Sequence, residues 1–389
     1  MKFHTTPIMP QGFTCMSTNC GLKADGSADL ALFVSEQPCN AAAVFTRNLC
    51  PGAPIIVGRE LITSGRLRAV VVNSKISNVG TGDPGIADAR QMGALAATEL
   101  GVPAGEVLMS STGVILTRLP MDKLASGIAG ASAQLVSDPL VGARGIMTTD
   151  TVPKAISISI GDATLTVVGK GSGMISPNMA TMLVYAFTDA EITSDTLDRA
   201  LRDAVADSFN MLSIDTDTST SDTVAVLANG LAGPVPLEDF RAALRAACIR
   251  MTEMLARDGE GASKLLRATA KSANSAADAR FVARALVDSP LIKTMVFGGD
   301  PNIGRVLMAI GKCVNCDVDL DAIRIIVNGH ELYRERTRQD YDDDLIRAEL
   351  SSDTVDIVVH INTGSREATA YGCDLTHGYI DENAAYYSS

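Results

Sequence analysis

The stretch Gly169-Lys170-Gly171-Ser172-Gly173-Met174-Ile175-Ser176-Pro177-Asn178-Met179-Ala180-Thr181-Met182-Leu183 joins a glycine-rich polar loop to an apolar run. Beyond Thr181 the chain passes at once into Met182 to Phe187, a continuous apolar segment of the kind that forms a buried strand. A hydroxyl residue at the mouth of a buried strand, preceded by a small residue and a flexible loop, is what self-cleavage into an N-terminal threonine nucleophile requires. The Thr181 hydroxyl has to reach the Ala180 carbonyl carbon, and a large side chain at position 180 would stand in its path. Gly169, Gly171 and Gly173 let the backbone adopt the strained conformations such an attack needs. Once cleaved, Thr181 carries both a hydroxyl and a free α-amine. An α-amine titrates near pH ~7.7–8.0, so it can act as its own general base. By themselves the same residues also describe an ordinary loop leading into a β-former.

Composition narrows the setting. The 389 residues allow roughly two or three domains. With 46% hydrophobic and 20% charged residues, the chain can bury a large core and is far from a disordered composition. Its net charge of −12, with no lysine- or arginine-rich run, argues against nucleic acid and anionic membrane surfaces as partners. No apolar run approaches the ~18 residues needed to span a bilayer. Met1-Lys2-Phe3-His4-Thr5-Thr6-Pro7 lacks the apolar core of a signal peptide, so a cytoplasmic protein is expected. Cys15, Cys20, Cys39, Cys50 and Cys248 read as reduced, small core residues. Cys313-Val314-Asn315-Cys316 has neither a second cysteine pair nor a histidine pair nearby, so no metal site is expected. His330, His360 and His377 lie in or beside strand-like segments near the C-terminus, away from any Gly-x-Ser-x-Gly elbow, which argues against a serine–histidine triad.

Before Thr181, strands and helices alternate. Arg68 to Val72 reads as a buried strand, and Ile86 to Leu100 as a helix entered after Asp83-Pro84-Gly85 and stopped by Gly101 and Pro103. Ile156, Ile158 and Ile160 alternate with Ser157 and Ser159. Gly161-Asp162 turns this strand back into Thr164 to Val168, so the loop bearing the cleavage site hangs from a hairpin. Beyond Thr181, Leu197, Leu201, Ala204 and Val205 have helical spacing behind the cap candidates Thr193 and Ser194. Asp222 to Ala228 reads as a strand. Phe240, Leu244, Ala247, Cys248, Met251 and Leu255 mark a long helix ending in Asp258-Gly259-Glu260-Gly261, and Ala276 to Val287 forms another. Arg324 to Val327 and Glu331 to Tyr333 form a hairpin about Asn328-Gly329; Val355 to Asn362 and Ala368 to Tyr371 read as a second. The pattern is α/β, with mixed, mostly hairpin-connected sheets covered by helices and without the strict βαβ alternation of a doubly wound fold. Composition sets off a C-terminal sub-domain from about 285 to 389.

An acyl-transfer site needs a nucleophile, a base, an oxyanion stabiliser and substrate anchors. Thr181 supplies the first two. Val107-Leu108-Met109 leads through Ser110-Ser111 into Thr112-Gly113, and a strand ending in Thr-Gly leaves a backbone N–H and a hydroxyl free to face a developing oxyanion; it also describes a plain strand-end turn. Lys170, on the glycine loop, can hold a substrate carboxylate as a point charge, or be a solvated surface group. Glu260, flanked by two glycines, sits on a tight, exposed backbone of the sort that follows a helix C-terminus.

Lys170 to Leu183 resembles the processing site of the ornithine acetyltransferase family, the glutamate N-acetyltransferases of arginine biosynthesis. There the chain cleaves itself before the threonine of a Met-Ala-Thr-Met-Leu sequence. Val44-Phe45-Thr46-Arg47-Asn48, Asn73-Ser74 with Asn78 and Thr81-Gly82, Asp217 to Asp222, Asp300-Pro301-Asn302 with Gly304-Arg305, and Gly372 to Thr376 resemble further family blocks, in order, over nearly the whole chain. The resemblance implies a layered sheet sandwich between helices, related in plan to the N-terminal-nucleophile hydrolases. It implies cleavage between Ala180 and Thr181 into an N-terminal chain 1–180 and a C-terminal chain 181–389, assembled as a heterotetramer of two of each. Thr112 and Gly113 take the oxyanion role, and Glu260 lies near the α-amine and the substrate amino group. Thr148, Thr149, Lys170, Thr181, Glu260, Asn383 and Ser388 match the family's substrate contacts.

The reaction implied is transfer of acetyl from N-acetylornithine to the Thr181 hydroxyl and then to glutamate, a ping-pong exchange with no metal or organic cofactor. Acetyl-CoA serves some members as an alternative donor. Four departures stand out: Leu116 where the family usually has glycine, Ile303 for a usual tryptophan, Ser213 to Asp217 for a more usual Val-Asp-Gly-Asp, and Tyr387-Ser388 where Thr-Thr is typical. The Ser213 to Asp217 change resembles paralogues from antibiotic-pathway gene clusters. A paralogue with another acceptor, an amidohydrolase or aminopeptidase on the same processing chemistry, and an unprocessed binding protein are the other readings.

Overall fold

The computed structural model describes residues 1–176 and 182–384. The chain forms two compact units: residues 1–171, 178–206 and 218–251 make the first, and 172–177, 207–217 and 252–389 the second. The first therefore draws strands from both sides of Thr181. The sub-domain expected from about 285 to 389 falls inside the second, which also takes 252–284 and two short earlier segments.

The strands of the first unit are β1 (Lys2–Phe3), β2 (Phe13–Thr18), β3 (Leu30–Phe45), β4 (Arg66–Asn73), β5 (Val107–Ser111), β6 (Lys154–Ile160), β7 (Ala163–Lys170), β8 (Leu183–Glu191) and β9 (Thr223–Pro234). They form one mixed sheet in the order β1-β6-β7-β8-β9-β3-β4-β5, with β2 beside β3. The expected hairpin of β6 and β7 is present, and β8 pairs antiparallel with β7 so that Lys170 lies opposite Leu183.

The spine is β3. Its first half pairs with β2 and β4, and its second half, from Asn40, with β9. Between them the register against β4 shifts through Ser35-Glu36-Gln37-Pro38. Proline has no N–H to give a ladder, so pairing lapses there and the strand turns a corner. The two halves of the sheet then face each other. Phe33 of one half lies 5.2 Å from Phe187 and 5.8 Å from Tyr185 of the other, ring centroid to ring centroid, and Phe13 lies 5.3 Å from Phe187.

Helices cover the outside. Those of this unit are α1 (Ala53–Leu61), α2 (Gly82–Leu100), α3 (Met121–Ile128), α4 (Pro139–Ile146), α5 (Ser194–Ala206) and α6 (Leu237–Arg257). Val57, Met92, Ala96, Leu124 and Ile128 of α1 to α3 pack on Leu30, Leu32, Ala69 and Val71, while the alternate residues Val70 and Val72 face the inner core. On the other half, α5 packs on β3 and Met251 of α6 lies against Gly169 of β7. The layers run helix, sheet, sheet, helix, the α/β class read from the sequence. One boundary differs: α2 starts at Gly82, so Asp83-Pro84-Gly85 forms its first turn instead of preceding it. A proline fits there because first-turn N–H groups have no intrahelical partner.

The second unit holds a six-stranded sheet, order β13-β12-β11-β14-β10-β15, from β10 (Leu265–Ala273), β11 (Arg324–Val327), β12 (His330–Arg334), β13 (Thr337–Arg338), β14 (Thr354–His360) and β15 (Arg366–Cys373). Helix α7 (Ala276–Val287) packs on β10 and β15, with α8 (Pro290–Gly298) and α9 (Gly304–Gly311) against it, while α10 (Asp343–Leu350) packs on β14 and α11 (His377–Ala384) follows β15. The hairpin about Asn328-Gly329 forms, both turn residues having positive φ. The expected second hairpin does not: β14 and β15 are separated by β10, parallel to the first and antiparallel to the second. The short link between them crosses the end of β10, where a Cβ on Gly364 would sit 2.5 Å from the Ala273 carbonyl oxygen. Of the cysteines expected in the core, Cys50 is exposed and Cys20 half-buried; the other three are buried.

Phe33 is the ring that bridges the facing sheet halves. Phe33→Ala is expected to lower unfolding free energy by about 4 kcal/mol, the usual range for emptying a buried aromatic site. Denaturant titration by circular dichroism measures it.

Candidate active site

In the first unit the site begins where β5 ends. β4 and β5 run parallel with Asn73 level with Ser111, and the Thr112 N–H donates to the Asn73 carbonyl at 3.1 Å. Gly113 then takes φ +128°, and Val114 N–H donates to the Lys75 carbonyl at 2.9 Å. A Cβ on Gly113 would overlap the Lys75 carbonyl group, so this position requires glycine on two counts. Among the described residues no acceptor meets the Gly113 N–H. The Thr-Gly pair is thus more than a strand-end turn: it presents an unengaged amide next to a hydroxyl that is 7% exposed. Leu116, one of the departures from the family pattern, holds φ +63° with its side chain 74% exposed, laid over Gly80.

Lys170 is neither a loop residue nor solvated. It is the last residue of β7 and only 4% exposed. Its Nζ donates to Thr148 Oγ1 at 2.7 Å and to Thr112 Oγ1 at 3.3 Å, and lies 4.0 Å from Asp150 Oδ2. Asp150 is fully engaged. Oδ1 accepts Lys154 Nζ and the Gly171 N–H, each at 2.7 Å, and Oδ2 accepts the Thr148 N–H at 3.0 Å. Burial works to raise this carboxyl, but the charges of Lys170 and Lys154 and the N–H bonds override it and hold it down to about 2. Thr149 is half-buried between Thr148 and Asp150. Lys170 fills one acceptor position on each threonine hydroxyl, so the protons of both hydroxyls are directed elsewhere. Lys154 carried no signal in the sequence; it stands at the start of an isoleucine–serine strand whose alternation gives no hint of a buried charge.

Ala180 and Thr181 lie outside the described residues. Their neighbour Met182 is buried, and its N–H donates to Asp222 Oδ1 at 3.0 Å. Asp222 precedes β9; its carbonyl accepts the Thr46 N–H, and the Met182 carbonyl accepts the Thr223 N–H, each at 3.0 Å. Sequence reading gave Asp222 no role beyond the start of a strand. Only the parallel pairing of β8 with β9, Leu183 opposite Thr223, brings it to Met182.

In the second unit Glu260 follows α6, half-buried, with its N–H on the Ser172 carbonyl at 2.9 Å. Asn383 of α11 donates from Nδ2 to Glu260 Oε2 at 2.8 Å. A Cβ on Gly173 would overlap the Glu260 carboxylate, so the glycine loop closes over this group. Asp215 accepts the N–H groups of Met174 (2.6 Å) and Ile175 (2.9 Å), holding Met174 at φ +54°. Ser388 lies outside the described residues. The structure thus gathers Thr112, Gly113, Thr148, Thr149 and Lys170 in one unit, and Glu260 with Asn383 in the other. Among the described residues no group of His, Cys, Asp and Glu is arranged to hold a metal ion, and no helix is long and apolar enough to cross a membrane.

Asp150→Asn leaves Lys154 and Lys170 buried without their counter-charge and is expected to destabilise the protein by about 3 kcal/mol. The pH dependence follows from the depressed carboxyl. Its stabilisation is present above the unfolded-chain value of ~3.9 and is lost as pH falls toward the folded value. Urea midpoints across acid pH should therefore fall in wild type and show a shallower slope in Asp150→Asn.

Residues 14–388 match the ArgJ family. The chain is 43% identical over 379 residues to the arginine biosynthesis bifunctional protein ArgJ of Rhodococcoides fascians, covering 97% of this chain and 94% of that protein. It is 41% identical over 388 residues to the glutamate N-acetyltransferase Oat2 of Streptomyces clavuligerus, covering 98% and 99%. A solved structure of the arginine biosynthesis bifunctional protein ArgJ from Bacillus halodurans is 35% identical, with a TM-score of 0.50, and covers 52% of this chain and 98% of its own. With a match over nearly its whole length, the chain belongs to the ArgJ family.

Proposed function

We propose that this chain is an acyltransferase of arginine biosynthesis. It cleaves itself between Ala180 and Thr181, and the freed Thr181 carries acetyl from N-acetylornithine to glutamate. The observation that carries the reading is the donor pair at the end of β5: the open Gly113 N–H beside the Thr112 hydroxyl, with the Lys170 ammonium bonded to that hydroxyl. Acyl transfer passes through a tetrahedral oxyanion, and an amide, a hydroxyl and a buried cation at one point suit its charge.

In the first half-reaction the Thr181 hydroxyl attacks the acetyl carbonyl of N-acetylornithine while its own α-amine accepts the proton. The oxyanion collapses, the proton passes to the leaving nitrogen, and ornithine departs. Glutamate's amine then attacks the acetyl-threonine ester and leaves as N-acetylglutamate. Two half-reactions on one nucleophile give ping-pong kinetics. Thr148, Thr149, Lys170, Glu260, Asn383 and Ser388 are the substrate anchors in this reading. Glu260 is suited to an ammonium group and Lys170 to a carboxylate. No metal or organic cofactor enters these steps, and acetyl-CoA is the alternative donor to be assayed. The mature protein is a cytoplasmic heterotetramer of two N-terminal and two C-terminal chains. Support for division into two chains comes from the Bacillus halodurans chain, which 52% of this one spans almost completely.

Intact mass tests the nucleophile. Wild type should appear as two fragments split at Ala180/Thr181 and Thr181→Ala as one uncut chain; an uncut wild type in folded protein would refute the mechanism. Product analysis with and without glutamate separates transfer from hydrolysis. The oxyanion role is tested by Thr112→Val, which removes the hydroxyl at constant shape. It should lower kcat for acetyl transfer by about 10²-fold with little change in KM, while Thr112→Ser retains most activity.

A further inference from the structure

The block Gly372 to Thr376 takes no part in the steps above. Its last residue, Thr376, is half-buried and stands just before α11. Thr376 Oγ1 accepts the Gly378 N–H at 3.0 Å, the bond by which a threonine caps a helix from the second helical residue. The same hydroxyl gives its proton away from the helix, to the Gly261 carbonyl at 2.5 Å. Gly261 follows Glu260 directly. One hydroxyl thus joins the start of α11 to the turn that carries Glu260. The two backbones meet at the same place: a Cβ on Gly261 would lie 2.3 Å from the Gly378 carbonyl carbon and the Tyr379 nitrogen, so no side chain fits between turn and helix. Deeper in, Asp374 is 2% exposed, and its Oδ1 accepts the Ser263 N–H at 2.8 Å and the Lys264 N–H at 3.0 Å. Residues 374 to 378 therefore grip 261 to 264 at both ends.

What this grip sets lies further along the helix. Asn383 is seven positions past Thr376 (383 − 376), about two helical turns, and so returns to the face at which Thr376 sits. There its Nδ2 donates to Glu260 Oε2 at 2.8 Å and to the Tyr379 carbonyl at 2.9 Å. Both amide protons are given, which fixes the orientation of the Asn383 side chain. We propose that Thr376 is a positioning residue of the acetyl-donor site: its hydroxyl fastens the Glu260 turn to α11 and so sets the Glu260–Asn383 pair for the ammonium of N-acetylornithine. This rests on the acetyl-transfer reading above. The two substrates differ in the group at issue. N-acetylornithine keeps a side-chain ammonium, which a carboxylate attracts, whereas the side chain of glutamate is itself a carboxylate. Thr376 therefore acts on the donor half-reaction. In a ping-pong exchange kcat/KM for each substrate reports its own half-reaction, so the two effects are read apart.

The test is steady-state acetyl transfer by the full-length protein, with N-acetylornithine and glutamate varied in turn, beside thermal unfolding. Thr376→Val removes the hydroxyl at constant shape. It should lower kcat/KM for N-acetylornithine about 10-fold, through KM, and leave kcat/KM for glutamate within about twofold, with an unfolding temperature close to wild type. Thr376→Ser returns the hydroxyl and should return the donor value with it. Thr376→Asp caps α11 but has no proton for the Gly261 carbonyl, and it decides the case if Thr376→Val does not fold: the same loss, confined to the donor, is expected. A wild-type donor kcat/KM in the deciding variant overturns the proposal. So does an equal fall for both substrates, which is what a fraction of inactive enzyme would give. A wild type that transfers no acetyl removes the reading on which the proposal rests, and the wild-type assay alone tells that result from the others.

Discussion

The buried carboxylate of Asp150 is the fixed point of the first unit's site. A carboxylate taken out of water is unfavourable by several kcal/mol unless it is paired and bonded throughout. Here Lys154, the Gly171 N–H and the Thr148 N–H occupy its oxygens, and Lys170 stands 4.0 Å away. These partners come from the start of β6, the end of β7 and the loop before β6, so one ion locks three pieces of backbone. The consequence reaches further than the pairing. Lys170 is held where its ammonium meets both Thr112 and Thr148, and the hydroxyl of Thr112 is set beside the open Gly113 amide. A site that stabilises charge must not reorganise when charge appears; a cation pinned by a buried anion meets that condition.

The corner in β3 makes this meeting possible. Thr112 follows a strand of one sheet half, and Lys170 ends a strand of the other. In a flat sheet the two would be separated by the width of several strands. The lapse of pairing at Ser35 to Pro38 folds the sheet so that inner faces oppose, and the Phe13, Phe33, Tyr185 and Phe187 rings fill the space between. Packing of the aromatic core and geometry of the site are therefore one problem: both depend on where the spine strand turns.

Much of this was readable from local sequence. Isoleucines alternating with serines gave β6, Asn328-Gly329 gave a hairpin, and Thr-Gly after an apolar run gave the donor pair. What local sequence could not show was set by partners far along the chain. That Lys170 is buried against a carboxylate could not be read from its glycine neighbours, which say nothing of Asp150, twenty positions earlier. Val355 to Asn362 and Ala368 to Tyr371 looked like a hairpin because a short loop joins them, yet β10 comes from nearly a hundred residues upstream to lie between. That strand did carry a signal: Leu266, Ala268 and Ala270 are buried while Arg267, Thr269 and Lys271 are not, the period-two pattern of a half-buried strand. Arg267 and Lys271 obscured it, although Arg267 is matched by Asp356 on β14 at 2.6 Å.

Asp150 and Asp222 show how position, not residue type, decides what a buried carboxyl does. Both are almost wholly removed from solvent in the same unit, and both feel Lys170. Asp150 has a second lysine in contact and N–H groups on both oxygens, so the charged form wins and the group is held down to about 2. Asp222 has a backbone N–H on one oxygen and, among the described residues, no hydrogen-bond partner on the other, so burial pushes its carboxyl well up. One therefore serves as a counter-charge, while the surroundings of the other disfavour its charged form. A neutral acid at 150 would take from Lys154 and Lys170 the buried charge that faces them. Two buried carboxyls of one unit are thus driven in opposite directions by their partners alone, since burial raises both and only Asp150 has the cations and N–H groups to reverse it.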